Sequence, residues 1–481
     1  MEIYNKLFID GEWVNSSTEK QMDILNPATE EVWAQVPEGT VEDVDCAVKA
    51  AQKAFNGPWK RMSTYKRSAI LRKMGDLMEE NANFLAGLET KENGKPLHIT
   101  TREAKMYNQW WYYYAGITDK IHGETIPFED HKHIFTIREP IGVVAAIIPW
   151  NGPIQLLTWK LTVALATGNT IVVKPAETSP VTALEIAKLT ELAGFPPGVI
   201  NVVTGYGSVV GDRLSSHPDV DKIAFTGYGD TARKIMKSAA ESSNIKRFSF
   251  ELGGKSPNII FPDADIDKAL NAAVEHGFAI TGQSCALSSR VLVHRDIYDD
   301  FIVKFKEKAA QIKVGNPHEQ VDIGPHAHKQ QLEKTLSYIQ IGKEEGAELV
   351  LGGDRPRHLK KGYYVNPTLF VNVKPTMRIA QEEIFGPVVS VIPFSSEEEA
   401  IEIANGVSYG LTAAVWTKDI ARGHRMAKAL QSGMVWLNTY RYTRWVTPYG
   451  GYKSSGVGRE NGLESIKEFT QVKTVVVDLE G

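Results

Sequence analysis

Short runs of β-branched residues alternate with amphipathic stretches from about residue 140 onward, and this alternation constrains the fold more than any other feature. Parallel strands need a crossover connection, which is usually a helix, so the alternation is typical of βα units in a parallel sheet. The runs are predicted as strands of one α/β sheet, at residues 143–148, 170–173, 200–203, 222–225 and 247–252.

The same pattern restarts after residue 252 and predicts a second α/β unit. Its predicted helices span residues 265–280 and 297–312, and its predicted strands span residues 364–370, 388–393 and 413–416. The segment 470–478 alternates hydrophobic and polar residues, so we predict an edge strand that is available for pairing.

Helices are also predicted before the first sheet and between its strands. Residues 41–121 have mostly helical periodicity, which predicts helices that cover the sheet at residues 41–55, 63–81 and 100–114. One connecting helix has clear limits, because Ser179 and Pro180 stand at its start as N-cap and first helical residue, and Gly194 stands at its end.

Size and composition restrict the classes of function. A chain of 481 residues predicts two or three compact units, and 42% hydrophobic with 23% charged residues is ordinary globular usage. A net charge of −4 leaves no basic face for duplex nucleic acid, so we expect small-molecule partners. Two cysteines, Cys46 and Cys285, are too few for a disulfide framework and indicate a reducing cytoplasm.

Neither secretion nor membrane insertion is expected. The first ten residues carry acids where a signal peptide needs a basic start. The most apolar stretch, residues 142–157, is too short to span a bilayer as one helix and is interrupted by Pro149 and Pro153.

Glycines near the ends of the predicted strands are the first candidates for cofactor binding. The turn after the first strand reads P-W-N-G-P at residues 149–153 and lacks the G-x-G-x-x-G of a standard dinucleotide fingerprint. Two later pairs, Gly205 with Gly207 and Gly227 with Gly229, begin predicted helices whose N-termini could receive a pyrophosphate. Ordinary turns stay the alternative for glycine spacing alone.

Lys174 and Glu177 follow the second predicted strand, where an α/β dinucleotide site holds the adenosine ribose. A carboxylate accepts hydrogen bonds from ribose hydroxyls and repels a 2′-phosphate, which favours NAD over NADP. The alternative is a solvated pair in a loop.

Cys285 and Glu251 are the candidates for reaction chemistry. Cys285 lies among small residues in F-A-I-T-G-Q-S-C-A at residues 278–286, which leaves room for a ligand; a buried, inert cysteine is the alternative. Glu251 ends the fifth strand before two glycines, where open α/β sheets place functional groups. Apolar surroundings disfavour its ionised form, so it could act as a base near neutral pH, unless it is a paired acid at a domain junction.

Two other features predict no additional site. The pairs His131 with His133 and His326 with His328 lack a nearby cysteine or further histidine to complete a metal site, so we expect no metal. The aromatic run at residues 110–114 indicates a helix packing face in preference to a base-stacking surface.

Taken together, motifs spread along the chain resemble the NAD(P)-dependent aldehyde dehydrogenase superfamily over essentially its full length. They are I-P-W-N at 148–151, K-P-A-E at 174–177, F-T-G at 225–227, E-L-G-G-K at 251–255, G-Q-S-C at 282–285, E-E-I-F-G-P at 382–387 and P-Y-G-G-Y-K-S-S-G at 448–456.

The resemblance implies three parts. A Rossmann-like parallel-sheet cofactor domain would comprise residues 1–117 and 141–252, and a second α/β catalytic domain residues 253–451. A small β bridging or oligomerisation segment, residues 118–140 and 452–481, would pair subunits into a homodimer or homotetramer.

The resemblance also implies roles for single residues. Cys285 would be the nucleophile, Asn151 and the Cys285 backbone N–H would donate to the oxyanion, and Glu251 would activate the hydrolytic water. The cofactor, NAD, would contact Ile148, Pro149, Trp150, Lys174, Glu177, Gly207, Phe225, Thr226, Gly227, Leu252, Glu383 and Phe385. The substrate would contact Trp159, Gly152, Arg441, Arg444 and Tyr449.

Two positions depart from the family pattern. Tyr228 replaces the hydroxyl residue that usually follows F-T-G near the pyrophosphate, so phosphate contacts would differ here. Gly152 follows Asn151 where many relatives carry a large aromatic residue, which should widen the substrate passage for a bulkier aldehyde.

The loop before Pro448 reads N-T-Y-R-Y-T-R-W at residues 438–445. Arg441 and Arg444 among aromatic rings would suit an aldehyde with a carboxylate or a polar ring, and Arg102 would add to their field. A solvated surface loop is the alternative.

The predicted function is NAD-dependent oxidation of an aldehyde, aromatic or carboxylate-bearing by preference, to the acid through a Cys285 thiohemiacetal and thioester. A CoA-acylating semialdehyde dehydrogenase is the nearest alternative, and Glu251 argues against it because that chemistry does not need this base. A non-catalytic structural relative is the alternative from another class, and any NADH production would exclude it.

Overall fold

The computed structural model describes residues 5–480. Two hairpins, four helices and two further strands precede the first parallel sheet. They are β1 (Leu7–Ile9), β2 (Glu12–Val14), β3 (Gln21–Asn26), β4 (Glu31–Pro37), α1 (Val41–Asn56), α2 (Thr64–Glu80), α3 (Ala82–Asn93), α4 (Leu97–Ala115), β5 (Thr125–Ile126) and β6 (Lys132–Pro140).

Helix α1 shows how local sequence sets these limits. The Thr40 side chain accepts a hydrogen bond from the Asp43 N–H, and the Asp43 carboxylate accepts one from the Thr40 N–H, which forms a capping box. Val44, Ala47 and Val48 then recur at helical spacing and are fully buried. The helix therefore packs one apolar face against the first sheet, as predicted.

The first sheet contains the five predicted parallel strands. Its elements are β7 (Val143–Ile147), α5 (Pro153–Ala166), β8 (Thr170–Lys174), α6 (Val181–Ala193), β9 (Ile200–Val202), α7 (Asp212–Ser216), β10 (Lys222–Thr226), α8 (Gly229–Ala240) and β11 (Arg247–Glu251). The strand order is β2-β1-β9-β8-β7-β10-β11-β21, where β21 is Gly456–Val457. β1 and β21 add antiparallel edges to this parallel core, so the predicted α/β fold class is confirmed.

Strand order reverses at β7, because β8 lies on one side of it and β10 on the other. In open α/β sheets, ligands bind outside the carboxyl ends of the strands at such a switch point. The register pairs Ile147 with both Lys174 and Phe225, and Thr226 with Glu251. The ends of β7, β8, β10 and β11 therefore lie at one edge.

A second sheet has the order β14-β15-β16-β13-β12-β18-β19 and is parallel except for the β14–β15 pair. The elements from residue 257 onward are β12 (Pro257–Ile260), α9 (Ile266–Phe278), β13 (Arg290–His294), α10 (Tyr298–Ala309), α11 (Lys329–Glu344), β14 (Glu348–Leu351), β15 (Thr368–Val371), α12 (Arg378–Gln381), β16 (Val388–Phe394), α13 (Glu397–Asn405), β17 (Tyr409–Gly410), β18 (Thr412–Trp416), α14 (Ile420–Ala429), β19 (Met434–Leu437), β20 (Tyr452–Lys453), α15 (Glu464–Glu468) and β22 (Thr470–Asp478). The strand predicted at 364–370 begins only at Thr368, because Pro367 has no N–H for a ladder.

A third sheet has the order β22-β6-β5 and is antiparallel. β22 pairs with β6 along its whole length, from Thr470 opposite Pro140 to Asp478 opposite Lys132, which confirms the predicted edge strand. Residues 452–480 are not confined to this sheet, since β20 pairs with β17 and β21 with β11.

The start of α6 differs from its prediction. Pro180 is the N-cap, the helix begins at Val181, and the Ser179 hydroxyl is buried without a hydrogen-bond partner among residues 5–480. The Glu92 carboxylate, from α3, accepts instead from the N–H groups of Val181 and Thr182. A carboxyl group from another helix therefore serves as the cap. An acidic group is favourable at this position because the N-terminus is the positive end of the helix dipole. The predicted end at Gly194 is confirmed, with φ of 92°.

Within the described residues, 5–480, the structure has no helix whose length and hydropathy would let it cross a membrane.

Candidate active site

A cavity of about 870 Å³ lies where the carboxyl ends of the first sheet meet the second α/β unit. Asn151 follows β7, Glu251 ends β11, and Cys285 lies between α9 and β13. All three line this cavity. The structure therefore brings together the three residues that the sequence predicted as catalytic.

The turn before Cys285 has an unusual backbone. Ile280, Thr281 and Gly282 are three consecutive residues with left-handed φ, at 48°, 59° and 70°. Residues other than glycine rarely adopt this region of backbone conformation. The resulting backbone strain persists only where surrounding contacts enforce it. The Thr281 hydroxyl donates to the Gly324 carbonyl at 2.9 Å, and a Cβ on Gly282 would lie 2.0 Å from the Gly386 carbonyl oxygen. These contacts fix the backbone of the turn before Cys285.

The Cys285 thiol lies 3.6 Å from the hydroxyl of Tyr449. Burial raises the pKa of the thiol well above its usual range, and the neighbouring Glu251 raises it further. A hydrogen bond from the Tyr449 hydroxyl opposes this effect, because it favours the charged thiolate. The thiolate is the reactive form, so Tyr449 supports the chemistry expected of Cys285.

Glu251 is 2% exposed, and neither of its carboxylate oxygens has a hydrogen-bond partner within residues 5–480. Burial raises the pKa of this carboxyl to about 8; Glu460 adds to the rise and Lys160 opposes it. A carboxyl group that titrates near neutral pH can take a proton from water and release it again.

A buried charge network lies beside Glu251. Lys160, on α5, is fully buried, and its Nζ lies 2.5 Å from Glu460 Oε1 and 2.6 Å from the Thr226 hydroxyl. Lys160 and Glu460 were not predicted as site residues. The signal for Lys160 was a single lysine in the apolar run 153–166, since a buried lysine needs a partner. Glu460 has no such signal, because its partner lies 300 residues away.

Asn151 connects the end of β7 to the turn before Cys285. Its Nδ2 donates to the Gln283 carbonyl oxygen at 3.1 Å, and it makes no other hydrogen bond in the described chain. The backbone N–H of Cys285 makes none there either. One amide hydrogen of Asn151 and the Cys285 N–H are thus available as donors to an oxyanion.

The predicted adenosine-ribose residues are in contact. Lys174 Nζ lies 3.1 Å from Glu177 Oε1, and the Gly207 N–H donates to the same oxygen at 2.5 Å. A Cβ on Gly207 would lie 3.3 Å from that oxygen, so glycine permits the close approach. The end of β8 and the turn after β9 therefore form one polar edge of the crevice.

Glu383 and Phe385 contact the segments that follow β11 and β7. Glu383 Oε1 accepts from the Gly254 N–H at 2.9 Å, and a Cβ on Gly253 would lie 2.2 Å from Glu383 Oε2. Burial raises the pKa of Glu383 to about 7. The Phe385 ring packs edge-on against Trp150, with 5.4 Å between centroids. Gly253 and Gly254 therefore allow Glu383 to lie against the backbone that follows β11.

The other predicted cofactor residues lie at the ends of β7, β10 and β11: Ile148, Pro149, Phe225, Thr226, Gly227 and Leu252. Tyr228, which departs from the family pattern, is 50% exposed, and Lys334 Nζ lies 5.2 Å above its ring. It is the N-cap residue of α8, but its side chain makes no capping hydrogen bond.

Every residue predicted to contact the substrate lines the cavity: Trp159, Gly152, Arg441, Arg444 and Tyr449. A Cβ on Gly152 would meet no atom closer than 3.6 Å, so the absent side chain leaves open space. Trp110, predicted as a packing residue, is buried and stacks with Trp159 at 6.1 Å, but it also lines the cavity.

The histidine pairs have other partners. The ring nitrogens of His326 contact the Tyr363 carbonyl oxygen and the Thr335 hydroxyl, and His328 Nδ1 accepts from the Gln331 N–H at the start of α11. His131 lies 3.2 Å from Glu129. In the part of the chain that the structure describes, no three His, Cys, Asp or Glu side chains are grouped to hold a metal.

A family model described as the aldehyde dehydrogenase family matches residues 13–475. The cytosolic aldehyde dehydrogenase 1 of Mus musculus is 46% identical over 480 residues, which cover 99% of this chain and 95% of the relative. The mitochondrial aldehyde dehydrogenase of Homo sapiens is 46% identical over 477 residues, which cover 98% of this chain and 92% of the relative.

Solved structures agree with these matches. An NAD⁺ complex of an aldehyde dehydrogenase from Bacillus cereus superposes with a TM-score of 0.97 at 46% identity, over 100% of this chain and 97% of that one. Betaine aldehyde dehydrogenase from Staphylococcus aureus, in complex with NAD⁺, superposes with a TM-score of 0.98 at 40% identity, over 100% and 96%. The likeness extends over the whole chain, in sequence as well as in fold.

Proposed function

Because the chain belongs to the aldehyde dehydrogenase family, we propose that it oxidises an aldehyde to a carboxylic acid with NAD⁺, and that Cys285 is the nucleophile. The observation that carries the proposal is the convergence of Asn151, Glu251 and Cys285 on one cavity. The thiol has a hydrogen-bonding neighbour, the carboxyl titrates near neutral pH, and the amide retains a free donor.

The crevice at the ends of the first sheet fits a dinucleotide. Glu177 and Lys174 would hold the adenosine ribose, and the uncapped first turn of α8, which begins at Gly229, offers N–H groups to a pyrophosphate. Glu383 would hold the second ribose, with Phe385 beside the nicotinamide. The carboxylate of Glu177 favours NAD⁺ over its 2′-phosphorylated form. When bound, NAD⁺ supplies the hydride acceptor.

The first half of the reaction forms a bond between sulfur and carbon. The thiolate of Cys285, favoured by the Tyr449 hydroxyl, adds to the carbonyl carbon and gives a thiohemiacetal oxyanion. Asn151 Nδ2 and the Cys285 N–H donate to that oxygen as negative charge develops on it. Loss of hydride from the same carbon leaves a thioester on Cys285.

The second half releases the acid. Glu251 takes a proton from water, the resulting hydroxide oxygen attacks the thioester carbon, and the C–S bond breaks. The free carboxylate oxygens of Glu251 favour this role for water over transfer of the acyl group to CoA, which needs no such base.

The three-part organisation and the assembly are also part of the proposal. We place the cofactor unit at 1–117 and 141–252, the catalytic unit at 253–451 and the bridging segment at 118–140 and 452–481. The β22-β6-β5 sheet exposes Val472 and Val476 by 54% and 59%, which suits pairing with a second copy in a homodimer or homotetramer. We retain the cytoplasm as the proposed compartment, since Cys46 and Cys285 are both free thiols.

The test is NADH absorbance with a panel of aldehydes, with and without CoA. We expect NAD⁺-dependent turnover that needs no CoA. Cys285→Ala should abolish this turnover and leave NAD⁺ binding intact. Asn151→Ala should lose about 10²- to 10³-fold in rate, as expected for one oxyanion donor. Turnover by Cys285→Ala, or an absolute need for CoA, would contradict the mechanism.

A further inference from the structure

Basic side chains outnumber acidic ones by one along the cavity. The basic residues are Lys95, Arg102, Lys308, Arg441 and Arg444, and the acidic ones are Glu103, Glu251, Glu275 and Asp322. Arg102 also lines an adjoining groove of about 500 Å³, together with Lys105, His98, His318 and one acidic residue, Glu319. An anionic ligand that enters along this side meets a favourable potential before it reaches the thiol.

Arg441 has the geometry of a ligand-binding residue. Its backbone is left-handed, with φ of 54°, and its guanidinium makes no hydrogen bond within residues 5–480. The one carboxylate near it, Glu103, lies 3.7 Å away and is already paired with the buried Lys95 at 3.1 Å. The planar donor set of Arg441 is therefore left without a bidentate partner.

Arg102 is a second guanidinium that lines the cavity. It lies on the exposed side of α4 and makes no hydrogen bond or ion pair with any residue the structure describes. Arg102, Arg441 and His276 all line the cavity, and both guanidinium charges act on the His276 ring. Burial lowers the pKa of His276 to about 3, and the charges of Arg441 and Arg102 contribute to this. His276 is neutral at neutral pH, so the positive charge at this end of the cavity belongs to the arginines.

Arg444 has a different role from Arg441. Its guanidinium donates to the Thr443 carbonyl oxygen at 2.8 Å and lies 4.4 Å above the Tyr442 ring. Its backbone N–H and carbonyl oxygen both bond to Thr447. Arg444 therefore stabilises the loop that carries Arg441. The two arginines are not equivalent as ligand-binding residues.

Aromatic walls connect this basic end to Cys285. Trp110, Trp159 and Tyr449 line the cavity in mutual contact, with centroid distances of 6.1 Å and 5.4 Å between neighbours. Such walls accept a flat or extended apolar body. Gly152 leaves open space beside Asn151. The cavity therefore has room for a ring, which is more space than a small aliphatic aldehyde needs.

We propose that the substrate is an aldehyde with a carboxylate at its far end, and that Arg441, assisted by Arg102, binds this carboxylate while the aldehyde carbon meets Cys285. This inference rests on the proposed function, which it makes more specific. The apolar body of the substrate lies between the aromatic walls, and Glu275 and Asp322 oppose a second negative group.

A matched pair of aldehydes tests it: 4-formylbenzoate and its methyl ester, which share a ring and differ in charge. The quantity measured is the ratio of kcat/KM for the acid to that for the ester. We expect Arg441→Met to lower this ratio about tenfold or more, since hydrogen bonds to charged groups are lost. Arg102→Met, at an exposed position, should lower it about threefold, and less in high salt.

Two further variants complete the experiment. Arg441→Lys should give an intermediate ratio, because charge persists without the planar fork. Arg72→Met, on the exposed side of α2 and away from the cavity, is the matched control and should leave the ratio at its wild-type value.

An unchanged ratio in Arg441→Met, or a loss confined to Arg444→Met, would overturn the carboxylate site. Oxidation of both aldehydes by wild type with no dependence on Arg441 would leave the proposed function intact. No NADH from either aldehyde, with turnover of another aldehyde of the panel, would overturn the carboxylate site alone, whereas no NADH from any aldehyde would overturn both proposals.

Discussion

Tyr449 and Cys285, 164 positions apart, meet with 3.6 Å between the phenolic oxygen and the sulfur. The Tyr449 backbone is fixed by two hydrogen bonds of 2.7 Å with Glu460, whose side chain pairs with Lys160. The residue that contacts the thiol is therefore attached to the buried charge network beside Glu251.

Removing the phenolic hydroxyl should make the thiol less acidic. Its hydrogen bond favours the thiolate, so Tyr449→Phe raises the Cys285 pKa further and lowers the thiolate fraction at any pH below it. We expect alkylation of Cys285 by iodoacetamide at pH 8 to slow by about 3- to 10-fold, the effect of one ordinary hydrogen bond. Tyr442→Phe, in an exposed loop position, is the control. Equal rates in all three proteins would remove Tyr449 from this role.

The pH dependence of thioester hydrolysis should follow Glu251. Its pKa of about 8 means that the carboxyl is mostly protonated at pH 6, and that the basic form grows as pH rises through 8. We expect the rate of deacylation to rise about tenfold per pH unit below 8 and to level above it. Glu251→Gln should give a burst of about one NADH per active site, followed by a slow phase without this pH dependence. A variant with no burst would show that Glu251 acts before hydride transfer.

Glu177 should set the choice of cofactor. Its carboxylate is held by Lys174 and the Gly207 N–H, and in the proposed cofactor site a 2′-phosphate would bring negative charge beside it. Glu177→Gln should raise kcat/KM for NADP⁺ relative to NAD⁺ by about tenfold, because the repulsion is removed and Lys174 loses its partner. Glu185→Gln, on α6 and away from the crevice, serves as the control. An unchanged ratio would place the 2′ position elsewhere.

The Lys160 and Glu460 pair should matter for stability. Lys160→Met leaves the Glu460 carboxylate buried without its cation, which costs about 3–5 kcal/mol. The double variant Lys160→Met with Glu460→Gln should recover part of this loss, because no buried charge is left unpaired. Urea unfolding, monitored by tryptophan fluorescence, measures the free energy of unfolding of both variants. A single variant as stable as wild type would mean that water reaches Glu460.

The first sheet was predictable because its strands are buried on both faces. Residues 143–147 and 170–174 form continuous apolar runs, which a central parallel strand requires. Glu251 was identified because a polar residue at the end of such a strand lies at the ligand-binding edge of the sheet, whereas Asn151 was identified only through the resemblance to the family.

Other features depend on partners that are distant in sequence. Ser179 resembles an N-cap, but Glu92, 89 positions before Val181, occupies the helix end, and local sequence carries no trace of that contact. The different roles of Arg441 and Arg444 could not be predicted from the sequence either. Both stand in one loop, and only their contacts with Glu103 and Thr443 separate them.

Long-range pairing in the C-terminal segment determines when the site can exist during biosynthesis. The ribosome completes Cys285 well before Tyr449 and Glu460, and β6 before its partner β22, which lies more than 300 residues later. A nascent chain that already carries the nucleophile lacks the phenol beside it and the carboxylate that neutralises Lys160. In the unfinished polypeptide, either Lys160 is buried without a carboxylate partner or the region around α5 stays exposed to solvent. The Cys285 thiol therefore becomes enclosed only near the end of translation.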